Sequence, residues 1–122
     1  MTTLYRRPSL TDLDRAQVVK TMRRFNRPRS IFLTLILSKL LFENLRLLKI
    51  IKVLRDKRSL TPTNQDQDIK DNVNTIETYI NTGKKLKALE LSLFENIRLT
   101  VEVNEHRGAL GLPLIKTYKV VQ

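Results

Sequence analysis

The sequence predicts a mainly α-helical protein that folds as one domain over residues 1–122, in a bundle of about four helices. Its 3 Gly and 4 Pro among 122 residues are too few for an all-β chain, which needs many tight turns. Hydrophobic residues make up 41% and charged residues 29%, a balance typical of a chain with a core. Apolar residues also recur every three or four positions in four separate stretches, and this spacing is helical.

The first helix is predicted over about 12–26, after a basic arm at residues 1–9. Pro8 disfavours helix at Arg7, which favours an extended arm. Thr11 can cap the helix, and Asp12 and Asp14 follow at the end where the helix dipole favours negative charge. Pro28 ends the pattern. The predicted apolar face consists of Val18, Val19, Met22 and Phe25.

The second helix, over about 30–55, is the most apolar part of the chain. Its seam is predicted at Leu33, Leu40, Asn44, Leu47 and Leu54, where the leucines are seven residues apart. Either a core helix of the bundle or a coiled-coil interface would produce this pattern, and the wide apolar arc favours the core helix. Asn44, the one polar seam position, should set register. Asn44→Leu is expected to raise thermal stability, because a buried amide is costly unless it is paired.

Residues 56–67 are predicted to be a linker, since they are rich in turn formers and include Pro62. A third helix is expected over about 68–81, with a stripe of Ile69, Val73, Ile76 and Ile80, and a fourth over about 84–99, through Leu86, Leu89, Leu93 and Ile97. Beyond Leu99 the apolar residues alternate. A short C-terminal β-hairpin is possible there, and a fraying helix followed by an extended tail would explain the same residues.

One short segment occurs twice. Residues 41–47 (LFENLRL) return at 93–99 as LFENIRL, with six of seven positions identical and an offset of 52. This suggests duplication of a two-helix unit, although two leucine-rich helices can also match by coincidence.

All the net charge lies in the first half of the chain. Residues 1–58 carry 15 Lys and Arg against 4 Asp and Glu, whereas residues 59–122 carry 8 against 8. A concentrated basic surface favours a polyanion, and the phosphates of RNA or a single strand in a ribonucleoprotein assembly are the leading prediction. The neutral half is expected to meet a protein partner. The candidate phosphate-binding residues are Arg6, Arg7, Lys20, Arg23, Arg24, Arg27 and Arg29.

No catalytic motif, metal-ligand spacing or phosphate-binding glycine loop occurs, so we expect a non-enzymatic protein without metal or cofactor. His106, the only histidine, is predicted to lie in an exposed turn. The absence of cysteine fits a cytoplasmic protein. One alternative is a peripheral membrane protein whose Val18, Met22 and Phe25 insert into anionic lipid. Another is a scaffold or adaptor whose basic half binds an acidic protein, and a solvated basic face without any ligand is the simplest explanation.

Overall fold

The computed structural model describes residues 10–23, 30–60 and 65–116, and these ranges contain four helices and no strand. The helices are α1 (Asp12–Arg23), α2 (Ser30–Lys57), α3 (Gln65–Asn81) and α4 (Lys85–Ala109). Helix α4 is central, because each of the other three packs against it. The predicted bundle of about four helices is therefore confirmed.

Helices α2 and α4 run parallel to each other. Residue pairs that touch across them advance in the same direction along both helices: Thr34 with Lys85, Asn44 with Asn96, Arg55 with Glu102, and Arg58 with His106. Helix α3 runs in the opposite direction to α4 and is joined to it by a three-residue turn. The chain therefore reverses twice between α2 and α4, and this brings the two copies of the repeated segment side by side.

The helix ends are formed by local signals in the sequence. At the start of α1, Thr11 Oγ1 accepts from the Asp14 amide (3.1 Å) and the Asp14 carboxylate accepts from the Thr11 amide (3.0 Å), a reciprocal capping box. Helix α3 ends in a Schellman motif, in which Lys84 N donates to Tyr79 O and Gly83 has a φ of 79°. The same pattern of backbone bonds ends α2 and α4.

The core consists of two apolar clusters with a polar layer between them. The upper cluster contains Val18, Leu37, Leu40, Ile76, Ala88, Leu89 and Leu93, and the lower contains Leu47, Ile51, Leu54, Ile69, Leu99 and Val103. Asn44 lies between the two clusters on α2, and Ser92 and Asn96 lie opposite it on α4. The upper cluster draws on all four helices, so the basic and neutral halves share one core.

The predicted C-terminal hairpin is wrong at its first strand, because α4 continues to Ala109. Leu99, Val103 and His106 are all buried at spacings of four and three, as a helix requires. The residues after α4 form no strand up to residue 116, and the remainder of the second predicted strand lies outside the described residues. Instead, Asn104 holds this segment against α4 by bonding to both the amide (2.8 Å) and the carbonyl (3.0 Å) of Ile115.

Other differences concern boundaries and faces. Helix α2 extends to Lys57 and α3 starts at Gln65, so the linker is shorter than predicted. Helix α1 is described to Arg23, and the predicted end of this helix and Phe25 lie outside the described residues. Val19 and Leu86 are exposed although the apolar stripes included them. Val18 and Leu89, by contrast, are buried as expected.

Candidate nucleic-acid interface and the buried polar seam

The basic face of α1 is oriented by the apolar side of the same helix. Val18 is buried and Met22 packs against the upper cluster, which turns Lys20 and Arg23 toward solvent. Both cations lie in the last turn, where they also interact favourably with the helix dipole. Of the seven predicted phosphate-binding residues, Lys20 and Arg23 lie within the described residues, and both are exposed. The other five lie outside the described residues: Arg6, Arg7, Arg24, Arg27 and Arg29.

The structure does not favour the predicted mode of membrane insertion. Val18 and Met22 face the core, so neither can enter a lipid surface while α1 remains packed on α4. The third predicted residue, Phe25, lies outside the described residues. Across residues 10–23, 30–60 and 65–116, every helix is too short or too polar to cross a bilayer.

Helix α2 adds cations that the sequence analysis did not include in the site. Its solvent face carries Lys39, Arg46, Lys49, Lys52 and Lys57, all exposed. Arg46 bonds to Glu43 one turn earlier, and this hydrogen bond raises the pKa of the Arg46 guanidinium. The spacings of seven, three and three from Lys39 to Lys52 are a signal that could have identified this face.

The predicted seam of α2 is an interface inside the chain. Leu40, Asn44, Leu47 and Leu54 are buried against the rest of the bundle, and Leu33 is partly buried beside them. These five residues are therefore not available for self-association of the folded protein. The structure agrees with the core-helix interpretation of the leucine heptad.

The two copies of the repeated segment meet at equivalent positions. Asn96 Nδ2 donates to Asn44 Oδ1 (2.9 Å), and Asn44 Nδ2 donates to the Ser92 carbonyl (3.1 Å). The same internal ion pair occurs in each copy, as Glu43–Arg46 and Glu95–Arg98. A paired asparagine in a parallel helix seam opposes a shift of one helix along the other, because a shift would leave both amides buried without partners.

A second buried polar group lies at the C-terminal end of the seam. Arg55 donates to Glu102, and the exposed fractions of these side chains are 6% and 0%. One turn further, Arg58 Nη1 donates to His106 Nδ1 at 2.7 Å. The prediction that His106 lies in an exposed turn is wrong, since its side chain is 0% exposed inside α4.

His106 is held neutral by this arrangement. A guanidinium can only donate hydrogen bonds, so Nδ1 must accept and the ring proton is on Nε2. Burial, followed by repulsion from Arg58 and Arg55, lowers the pKa of His106 from 6.5 to about 4. The seam therefore contains a histidine that resists protonation while the protein is folded.

The lowered pKa predicts loss of stability in mild acid. His106 takes up its proton near pH 6.5 in the unfolded chain and only near pH 4 in the folded chain. The free energy of unfolding therefore falls as the pH is lowered from about 6.5 to about 4. The loss attributable to His106 should reach about 3 kcal/mol. Denaturant unfolding at pH 7.0, 5.5 and 4.5 measures it, with His106→Asn as the reference because its amide oxygen can replace Nδ1. Parallel pH profiles for the two proteins would contradict a buried, neutral His106.

The paired amides reverse the expectation for Asn44→Leu. Because Asn44 bonds to Asn96, the leucine leaves a buried amide without its partner, and we expect a loss of about 1–3 kcal/mol. Asn44→Leu combined with Asn96→Leu removes both amides and should recover most of this loss. Urea unfolding of Asn44→Leu, Asn96→Leu and the double variant gives a double-mutant cycle for the two amides. Additive losses would show that the two amides do not depend on each other.

The seam does not resemble a metal or active site. Among the described residues, no three His, Asp or Glu side chains are grouped closely enough to hold a metal ion. The Arg55–Glu102 pair is closed to solvent, so a substrate could not reach it in the folded protein. Comparison of the chain with protein-family models, curated protein sequences and solved structures gave no match.

Proposed function

We propose that this protein is a small, non-enzymatic, basic helical subunit that binds a nucleic-acid backbone, RNA or a single strand, within a larger ribonucleoprotein assembly. The observation that supports the proposal most directly is the exposure of the first half's cations. Eight are exposed in the described part of residues 10–58: Arg15, Lys20, Arg23, Lys39, Arg46, Lys49, Lys52 and Lys57.

These cations have few acidic neighbours to neutralise them. Within the described residues, Arg46 alone among the eight has a carboxylate within ion-pair distance. Two carboxylates of the neutral half, Glu95 and Glu102, are buried in the bundle, where they pair with Arg98 and Arg55. The buried Arg55–Glu102 pair is neutral, so its burial leaves the excess of exposed cations on the first half unchanged. Such a surface attracts phosphates and releases their counterions, without reading base sequence.

The distribution of polar groups supports a binding role over catalysis. The amides, the Arg55–Glu102 pair and His106 lie inside the bundle, where they bond to other side chains and to the backbone. On α1 and α2, most of the exposed polar side chains in the described residues are lysines and arginines. Side chains of this kind suit contact with a phosphate backbone and not the fixed geometry that a reaction needs.

Salt dependence tests the proposal. Binding of unrelated single-stranded oligonucleotides should weaken steeply between 50 and 200 mM salt, because each phosphate contact releases counterions. Replacing Arg23, Arg24 and Arg27 by alanine should flatten the logarithmic slope by about 2 to 3. The matched control replaces Lys70, Lys84 and Lys87, which are exposed cations of the neutral half, and should leave the slope unchanged. Affinity that is insensitive to salt would refute the proposal.

A further inference from the structure

Helix α2 carries a second apolar row on the side opposite its buried seam. Leu35, Phe42 and Val53 are 54%, 72% and 55% exposed. At 100° per residue, these three side chains leave the helix within about 20° of one another. Leu45, 39% exposed, lies to one side of this line. We call these four residues the α2 row, which extends for about 27 Å at the helical rise.

The equivalent helix of the repeat does not expose its aromatic residue. Phe94 has the same place in the second copy of the repeated segment as Phe42 has in the first, and Phe94 packs against the upper cluster. The two copies thus have nearly the same sequence, with six of seven positions identical, but different surroundings. A large aromatic side chain that is mostly exposed loses the free energy that burial would provide, unless something covers it.

Basic residues flank the α2 row on both sides. Lys39 and Lys57 lie on one side of the line through Leu35 and Val53, and Lys49 and Lys52 lie on the other. Asp56 is the exposed carboxylate on this face, and Glu43 is half-buried and bonded to Arg46. Arg46 lies on the same line, between Phe42 and Val53, and is paired with Glu43. A surface that covers the row must therefore be apolar opposite Leu35, Phe42 and Val53 and acidic beside the lysines.

We propose that the α2 row binds an amphipathic helix of a protein partner, with the partner's apolar stripe on Leu35, Phe42 and Val53 and its carboxylates beside the flanking lysines. A row one side chain wide and several turns long matches the contact surface of a single helix. This inference rests on the assembly part of the proposed function, because it assigns the surface through which the subunit joins its complex. It assigns Lys39, Lys49, Lys52 and Lys57 to a protein partner and leaves Arg15, Lys20 and Arg23 of the exposed cations for the phosphate backbone. Partner binding by the neutral half stays a prediction.

Charge and chemistry disfavour two other occupants. A second copy of this chain would place lysines against lysines along the same row, and like charges at an interface are repulsive. A nucleic acid could stack a base on Phe42, but Leu35 and Val53 have neither an aromatic ring nor a hydrogen-bonding group for it. An anionic membrane shares the chemistry of the row, and the experiment below distinguishes it.

The absence of cysteine permits a direct binding assay with the full-length chain. Ser38 is exposed close to the row, so Ser38→Cys carries an environment-sensitive dye there. The probe is a synthetic 21-residue helical peptide with leucines on one face and glutamates beside them. We expect saturable binding that blue-shifts the dye. A peptide of the same design with lysines in place of the glutamates should bind at least tenfold more weakly.

Paired variants locate the contact. Leu35→Ser with Phe42→Ser, and separately Lys49→Glu with Lys52→Glu, should each weaken binding of the glutamate peptide at least tenfold. The controls are Leu13→Ser with Val19→Ser, which removes exposed apolar residues of α1, and Lys84→Glu with Lys87→Glu. Both controls should bind as the parent protein does. Circular dichroism should show the same helix content in all variants, since every altered residue is exposed.

Three results would overturn the proposal. The first is no binding of the glutamate peptide, or binding that the row variants do not change. The second is binding to phosphatidylserine vesicles that depends on Phe42 while the peptide does not bind, which would assign the row to a membrane. The third is loss of oligonucleotide binding in the Leu35→Ser, Phe42→Ser variant, which would assign the row to bases. Peptide binding without oligonucleotide binding would refute the nucleic-acid proposal and leave the docking surface intact.

Discussion

A chain that ends at Leu99 is expected to be unfolded. This truncation removes the last ten residues of α4, which contribute four buried side chains: Thr100, Glu102, Val103 and His106. Their loss exposes Leu47, Ile51 and Leu54 on the facing side of α2 and removes a buried ion-pair partner of Arg55. Each large buried side chain that is lost costs about 2–5 kcal/mol, and domains of this size are stable by about 5–15 kcal/mol in total.

Thermal unfolding followed by circular dichroism measures the effect. The truncated chain should show low helix content and no cooperative transition at 25 °C and above. The matched control ends at Lys116 and retains every contact described here, so it should melt cooperatively. A cooperative transition in the shorter chain, within a few degrees of the control, would mean that the end of α4 is dispensable. The contacts that residues 100–109 make with α2 would then be unnecessary for folding.

Removal of the carboxylate at Glu102 is expected to have the largest effect of any single substitution. Glu102→Leu removes a buried carboxylate that pairs with the Arg55 guanidinium, at a cost of about 3–5 kcal/mol. Arg55→Met together with Glu102→Leu replaces both groups by apolar side chains and should be less destabilising than Glu102→Leu alone. Urea unfolding measures the free energy of unfolding for Arg55→Met, Glu102→Leu and the double variant. The comparison separates the cost of leaving one charged group in the core from the cost of replacing both.

The repeated segment provides a matched control for this prediction. Glu43 and Arg46 form an ion pair at the surface of α2, where the Arg46 side chain is half-exposed. Glu43→Gln should cost less than about 1 kcal/mol, because solvent screens exposed pairs. If Glu102→Leu and Glu43→Gln lowered the free energy of unfolding equally, burial would not make the Arg55–Glu102 pair more sensitive than the exposed pair.

Helices α1 and α2 differ in how exposed cations and exposed apolar side chains are combined on their surfaces. Helix α1 presents Lys20 and Arg23 with its apolar side packed away, which suits contact with a phosphate backbone. Helix α2 presents Phe42 and Leu35 between lysines, which suits an acidic partner helix. A subunit that binds a polyanion through one helix and a protein through the next would hold the two together. The salt titration and the peptide assay test these two contacts separately.

Local patterns were enough to predict the helical class, the number of helices and several of their ends. Thr11 was recognised as the N-cap of α1 because capping depends on residues close in sequence. The apolar stripes of α2 and α3 were likewise found from their spacing, since Leu40 and Ile69 face the core as the helical period requires. These features depend on interactions within one or two turns, which a sequence displays directly.

The end of α4 and the roles of the polar seam depended on contacts between distant residues. Glu102 and His106 occupy buried positions of the helix, so they interrupted the apolar period and made residues 99–109 resemble a strand. A polar residue is stable in such a position only when a partner from elsewhere in the chain meets it, as Arg55 and Arg58 do. Spacing along one helix does not reveal that partner. The parallel alignment of α2 and α4 supplies it, and the same alignment leaves Phe42 exposed while Phe94 is packed.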